Sequence, residues 1–101
     1  MDRLDTPETV TAEELIDQHR HHIDRIDKTI VALLTERMRI GQTLGGMKRT
    51  LAWPARSAAR EAEVLASVRR AAAGPLDPES AARIFAAIIA ETSAAQMASD
   101  D

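Results

Sequence analysis

Apolar side chains recur at steps of three, four and seven residues over the first half of the chain, from Leu15 to Met47. Steps of this kind place the apolar side chains on one face of an α-helix. Thr11 and Glu14 have the spacing of a capping box, which marks a helix start. Since no proline interrupts the segment, the pattern predicts one helix over about residues 12–50.

Three glycines, Gly41, Gly45 and Gly46, are the weakest positions of this predicted helix. Each glycine costs about 1 kcal/mol relative to alanine inside a helix. Gly41 and Gly45 lie one turn apart, so they could admit a neighbouring backbone or a ligand. A frayed helix end or a turn explains them nearly as well, and the pattern leaves both interpretations open.

The remainder of the chain predicts two shorter helices and no strand. A loop over residues 50–57 leads to a helix over about residues 57–73, which Gly74 and Pro75 would end. Asp77 as N-cap and Pro78 at the first helical position begin a third helix that reaches about residue 97. We expect this helix to bury four large side chains: Ile84, Phe85, Ile88 and Ile89.

The length of the first helix predicts a dimer. About 38 residues at 1.5 Å each give a rod of about 57 Å, whereas a compact domain of this size has a radius of gyration of about 13 Å. Two shorter helices cannot cover the whole apolar stripe of such a rod, so a second copy should bury the rest. The predicted fold is therefore all-α, with three helices, one of them very long, in an intertwined homodimer. A plain antiparallel coiled coil would meet the same requirement.

Composition narrows the class of protein. Residues 1–10 carry a proline and three acids and are interpreted as a flexible tail before a domain over residues 11–98. The chain has no cysteine, which excludes thiol chemistry and fits a cytoplasmic location. We expect no membrane contact, because no apolar run reaches about 18 residues, and no signal peptide. The net charge of −3 argues against nucleic-acid binding.

Two cations of the first helix could bind one anion together. Arg37 and Lys48 are eleven residues apart, which returns to within about 20° of the same face, at about 16 Å along the axis. Arg20 lies about 25 Å before Arg37 and about 100° round the helix. It therefore cannot reach the same small ligand within one protomer, but it could do so from an antiparallel partner.

Polar residues of the other helices are further candidates. Arg60 and Glu61 lie at the start of the second helix, and Thr92 and Gln96 lie one turn apart on the third. Spacing alone favours solvated side chains at these positions, with the apolar stems of the basic residues packed down.

His19 and His22 lie one turn apart, but no third ligand cluster is evident, so we predict no metal. Trp53 could stack on a ligand, although a loop tryptophan more often packs against a helix.

Five segments in order resemble the all-helical chorismate mutase family. The family features are an Arg before Ile-Asp-x-Ile/Leu-Asp, a Leu-Leu-x-x-Arg, a Gly-x-x-Lys, an Arg-Glu-x-x-Val/Leu-Leu and a third-helix ending with Ser or Thr four residues before Gln. Here they correspond to residues 20–27, 33–37, 45–48, 59–65 and 84–96. The resemblance implies an isomerase that rearranges chorismate to prephenate in aromatic amino-acid biosynthesis, without a cofactor.

The resemblance also implies how the two carboxylates of chorismate are held. Arg20 would reach into the partner's site, and Arg37 would act in its own. Arg60 would assist these two arginines, and Thr92 would hold a carboxylate directly or through water. Paired guanidinium and carboxylate groups suit this task.

The remaining implied roles concern the reacting atoms and the ring. Lys48 and Gln96 would donate to the ether oxygen of the breaking C–O bond. Glu61 would accept from the ring hydroxyl. Ser57 occupies the place where the family often has an acidic residue near that hydroxyl, which leaves the hydroxyl pocket less defined.

Other activities of the same fold remain open. An isochorismate-pyruvate lyase should lack the carboxylate of Glu61, whereas an aminodeoxychorismate mutase would keep it. A non-catalytic regulatory helical domain is a third alternative, and the first synthase of the shikimate pathway is a possible partner.

Overall fold

The computed structural model describes residues 10–98, and it describes side chains as far as residue 96. These residues form three helices and no strand: α1 (Ala12–Leu51), α2 (Ala58–Ala71) and α3 (Pro78–Ala98). The all-helical prediction is thereby confirmed. The predicted flexible tail over residues 1–10 lies outside the described residues, apart from Val10. None of the helices in the described range is long and apolar enough to cross a membrane.

The chain divides into an N-terminal unit, Met1–Leu33, and a C-terminal unit, Leu34–Asp101. In the N-terminal unit, α1 begins at the predicted capping box. The Thr11 amide donates to Glu14 Oε1 at 2.8 Å, and the Glu14 amide donates to Thr11 Oγ1 at 3.0 Å. The unit's apolar stripe is about half exposed in the single chain, and it comprises Leu15, Ile16, Ile23, Ile26 and Ile30.

In the C-terminal unit, α1 continues through all three glycines to Leu51, so the predicted loop start at residue 50 is wrong. The helix ends because Ala52 adopts a left-handed conformation, with a φ of 59°. The Ala52 amide donates to the Arg49 carbonyl at 3.1 Å, and the Trp53 amide donates to the Lys48 carbonyl at 2.8 Å. These two bonds form a Schellman motif, which usually has glycine where this chain has alanine.

Side-chain caps set the starts of the other two helices. Ser57 is the N-cap of α2 and accepts from the Arg60 amide at 3.2 Å. Asp77 Oδ2 accepts from the amides of Glu79 and Ser80 at 2.9 and 3.3 Å, which confirms the predicted start of α3. α2 ends at Ala71, two residues earlier than predicted.

The buried stripe of α3 is narrower than its apolar sequence suggests. Ala81, Ala82 and Ile89 are buried, as are Thr92 and Gln96. The expected burial of Ile89 is confirmed, and Phe85 and Ile88 are half-buried. The expected burial of Ile84 is wrong for the single chain, because this residue projects beside the stripe rather than within it and is 53% exposed.

Candidate active site

A cavity of about 620 Å³ opens in the C-terminal unit, between side chains of all three helices and of the loop over residues 52–57. Its walls include apolar side chains such as Ile40, Leu44, Val64 and Ile89. Seven of the eight residues predicted to form the site line this cavity: Arg37, Lys48, Ser57, Arg60, Glu61, Thr92 and Gln96. Residues far apart in sequence are therefore brought together as expected.

Arg20 is the predicted site residue that does not line the cavity. It belongs to the N-terminal unit, where it is exposed on α1. Among the described residues, those that line the cavity lie between Arg37 and Gln96.

Arg37 is held in place by the buried hydroxyl of Thr92. Arg37 Nη1 donates to Thr92 Oγ1 at 2.7 Å, and Thr92 Oγ1 donates to the Ile88 carbonyl at 2.8 Å. The single hydroxyl proton is thus used within α3, and the oxygen accepts from the guanidinium. Thr92 therefore orients Arg37, a contact beyond the carboxylate-holding role that the resemblance implies for it.

Gly41 and Gly45 allow α3 to approach α1 closely. A Cβ atom at Gly41 would lie 2.6 Å from Thr92 Cγ2, and one at Gly45 would lie 3.2 Å from Gln96 Cγ. Both glycines are buried within a continuous helix. The alternative of a frayed helix end or a turn is therefore wrong, and the close neighbours are the side chains of Thr92 and Gln96 rather than the backbone or ligand that the pattern suggested.

Lys48 is anchored to the loop that follows α1. Its Nζ atom donates to the Ala55 carbonyl at 3.1 Å. A lysine ammonium has three donors, so two remain for a ligand. The loop also supplies Trp53 to the cavity wall, where its side chain is 63% exposed. The predicted shared face of Arg37 and Lys48 is confirmed, since both line one cavity.

Glu61 is paired with a residue that the sequence had not singled out, Arg56. Arg56 Nε donates to Glu61 Oε2 at 2.7 Å, and Arg56 Nη2 donates to Glu61 Oε1 at 2.8 Å. These hydrogen bonds, together with the charge of the guanidinium, lower the pKa of Glu61 and raise the pKa of Arg56. Arg56 lies in a loop, where no helical periodicity could have marked it.

Arg60 has a weaker partner outside the cavity. Arg60 Nη1 donates to Glu63 Oε1 at 3.2 Å, and both side chains are largely exposed. Exposed pairs of this kind contribute little free energy, so Arg60 can exchange this partner for a ligand at small cost.

The charges around the cavity are unbalanced. Four cationic side chains line it, Arg37, Lys48, Arg56 and Arg60, against the single carboxylate of Glu61. An anion with more than one negative charge would complement this arrangement. Among the described residues no cluster of three or more His, Cys, Asp or Glu side chains could hold a metal ion.

Comparison with known proteins identifies the family to which the chain belongs. The family model described as chorismate mutase type II matches residues 19–97. Two structures of chorismate mutase from Thermus thermophilus are 32% identical to this chain and superpose with TM-scores of 0.77 and 0.76. They match 78% of this chain, and the match covers 90% and 99% of theirs.

A curated relative is the bifunctional chorismate mutase/prephenate dehydratase of Neisseria gonorrhoeae. It is 38% identical over 81 residues, which is 80% of this chain. The chain spans only about a fifth of that relative, 22% of its length. The family match over four fifths of the chain, with the chorismate mutase structures that agree with it, confirms the sequence-based assignment: the chain belongs to the chorismate mutase type II family.

Proposed function

We propose that this chain catalyses the rearrangement of chorismate to prephenate. The observation that carries the proposal is the cavity of about 620 Å³ lined by four cationic side chains and the amide of Gln96. Chorismate has two carboxylates, and a site for it needs cations positioned before the substrate arrives. The three Arg side chains supply planar donors suited to carboxylates.

The reaction breaks the ether C–O bond and forms a C–C bond within one molecule, so no atom is gained or lost. Catalysis then consists of holding a compact conformer and stabilising the charge that develops on the ether oxygen. Lys48 retains two free donor positions, and Gln96 carries an amide at the cavity wall. We assign these two groups to the ether oxygen, Arg37 and Arg60 to the carboxylates, and Glu61 to the ring hydroxyl.

Product analysis tests this activity directly. Purified protein should form prephenate from chorismate and should release no pyruvate from isochorismate. Absence of prephenate from the chorismate reaction would refute the proposal. Pyruvate release would identify a lyase, and turnover of aminodeoxychorismate alone would identify the amino-compound mutase of the same fold.

Two substitutions test the assigned roles. Lys48→Met and Gln96→Leu should each lower kcat by about 10²–10³, which is typical for the loss of one donor to a developing oxyanion. Gln42→Leu is the control, because Gln42 is exposed on α1 and does not line the cavity. Circular dichroism should show that all three variants remain folded. If activity and folding were lost in parallel, the two residues would be structural.

We also propose that the chain acts as an intertwined homodimer. The apolar stripe of the N-terminal unit is about half exposed in the single chain, and an extended apolar surface of this kind marks an interface. Arg20 lies one turn from Ile16 and one turn from Ile23, at the edge of the stripe. A second copy that covered the stripe in antiparallel orientation could place its own site within reach of Arg20.

Mixing inactive variants tests the contribution of Arg20 to the partner's site. Arg20→Ala and Lys48→Ala should each lack activity, and their mixed dimer should contain one complete site. Random exchange of subunits would restore about a quarter of the wild-type sites. No recovery after exchange would place Arg20 in its own protomer's site or in none. Arg25→Ala is the matched control, because Arg25 faces away from the stripe.

A further inference from the structure

The pair formed by Arg56 and Glu61 is placed where it can govern what the cavity accepts. Arg56 lies in the loop before α2, and Glu61 lies in the first turn of that helix. The two N–H···O contacts, at 2.7 and 2.8 Å, occupy both carboxylate oxygens. Both residues line the cavity, and Arg56 is about half exposed. An ion pair this accessible to water adds little to folding stability.

We propose that Arg56 is a specificity-determining positioning residue, which holds Glu61 so that the cavity accepts a ring hydroxyl and rejects a ring amino group. This inference rests on the proposed function and deepens it.

Charge explains the discrimination. An unpaired Glu61 carboxylate would attract a protonated amine and stabilise it as a counter-ion. Paired with Arg56, the carboxylate belongs to a group with no net charge, while Arg37, Lys48 and Arg60 remain positive around it. An amine of ordinary basicity is protonated near neutral pH. A substrate that carries one therefore meets an excess of positive charge at this wall.

A hydroxyl meets no such penalty. Each oxygen of an ionised carboxylate accepts about two hydrogen bonds, and Arg56 uses one on each. One acceptor position per oxygen remains, so a neutral hydroxyl can donate to Glu61 without displacing Arg56. Because the guanidinium lowers the pKa of Glu61, the carboxyl group stays an acceptor at mildly acidic pH.

The geometry of the pair requires arginine rather than any cation. The Nε and Nη2 atoms form a planar fork that matches the two carboxylate oxygens. A lysine at this position would keep the charge but bind as a single point, which leaves the carboxylate free to turn. We therefore expect Arg56→Lys to retain part of the selectivity and Arg56→Gln to lose it.

The test compares chorismate with its 4-amino analogue in the wild type, Arg56→Gln and Arg56→Lys. The analogue is measured as a substrate and as a competitive inhibitor, so binding without turnover is also detected. If the analogue is turned over, selectivity is the ratio of the two kcat/KM values. If it only binds, selectivity is given by the KM of chorismate relative to the inhibition constant of the analogue. In Arg56→Gln, the preference for the hydroxyl compound should fall about tenfold or more. That change corresponds to about 1.4 kcal/mol. The selectivity of Arg56→Lys should lie between that of the wild type and that of Arg56→Gln.

The pH profile is a second measurement that a merely structural role would not change. The charged groups that line the cavity with Glu61 are its partner Arg56 from the loop, Lys48 and Arg37 from α1, and Arg60 from α2; the lining residues of α3 carry no charge. Loss of Arg56 should move the acid limb of the kcat/KM profile to higher pH, toward the ordinary carboxyl pKa of about 4.3. The limb of Arg56→Lys should move less.

Arg69→Gln is the matched control. Arg69 Nε and Nη2 bind the carboxylate of Glu79 at 3.0 and 3.3 Å, in a similarly exposed pair outside the cavity. Its selectivity and pH profile should equal those of the wild type. If Arg56→Gln lowered activity equally on both compounds, Arg56 would be contacting the shared carboxylates and the inference would fall. Failure of the wild type to turn over chorismate would instead overturn the proposed function.

Discussion

Adding one methyl group at Gly41 tests the packing on which the site depends. In Gly41→Ala, the new Cβ would lie 2.6 Å from Thr92 Cγ2 and 3.5 Å from Gln96 Nε2. Gly46→Ala makes the same chemical change five residues later in the same helix. Its nearest neighbour would be Arg49 Nη2, at 3.8 Å, an ordinary contact with a flexible side chain.

The two variants should move stability in opposite directions. Alanine is favoured over glycine within a helix by about 1 kcal/mol, which should stabilise Gly46→Ala. At Gly41 the contact with Thr92 is about 1 Å shorter than the usual carbon–carbon distance. Thr92 cannot turn away easily, because it is β-branched and its hydroxyl is bonded to Arg37 and Ile88. Overpacking of this kind costs about 1–3 kcal/mol, so the net change is about 0–2 kcal/mol of destabilisation.

Thermal unfolding at one fixed protein concentration measures both effects, since association would make Tm depend on concentration. For a domain of this size, 1 kcal/mol corresponds to about 4–8 °C. Gly46→Ala should melt about that much above the wild type, and Gly41→Ala should melt at or below it. Gly41→Ala should also lower kcat/KM, because displacement of Thr92 releases Arg37. An equal rise in Tm for both variants would refute the close packing of α3 against Gly41.

Two further predictions concern the polar contacts of the site. Thr92→Val removes the hydroxyl that accepts from Arg37. It should lower the free energy of unfolding, measured in urea, by about 1–3 kcal/mol and should raise KM. Thr43→Val is the control: it loses only an exposed bond to its own helix and should change stability by less than about 0.5 kcal/mol. Equal effects of the two would contradict the role of Thr92. Because Arg56 lowers the pKa of Glu61, their pairing favours folding above the carboxyl's ordinary pKa and is lost as pH falls through the lower folded value. Because the pair is exposed, the Tm difference between wild type and Glu61→Gln should be small. It should shrink between about pH 6 and about pH 3, and a difference that grew as pH fell would contradict the pairing.

The sequence predicted the helices well where a side chain defines their ends. Thr11 with Glu14 and Asp77 with Pro78 are local signals, because the capping atoms lie within three residues of the amides that they bind. The end of α1 has no such signal. Ala52 occupies the left-handed position that glycine usually takes, and the helix ends at Leu51, one residue beyond the predicted boundary.

The site was predicted to the extent that it follows helical periodicity or the family resemblance. Arg37 and Lys48 share a helix face, and Thr92 and Gln96 lie one turn apart, so their convergence on one cavity was foreseeable. The pairing of Arg56 with Glu61 was not. It depends on how the loop before α2 turns, and neither spacing nor periodicity describes the path of a loop.

The glycines of α1 and the cations of the site both depend on the close packing of α3 side chains against α1. Thr92 and Gln96 reach the cavity from α3, and Arg37 and Lys48 reach it from α1. The Thr92 hydroxyl that accepts from Arg37 at 2.7 Å belongs to a side chain that packs directly against the backbone of α1 at Gly41. Gly41 provides this proximity, because any larger side chain there would overlap Thr92. Glycine costs about 1 kcal/mol in the helix at Gly41, and it leaves room for the Thr92 side chain that holds Arg37 in place before a dianion arrives. Gly41 therefore helps to position the charge of Arg37, although it carries no charge itself.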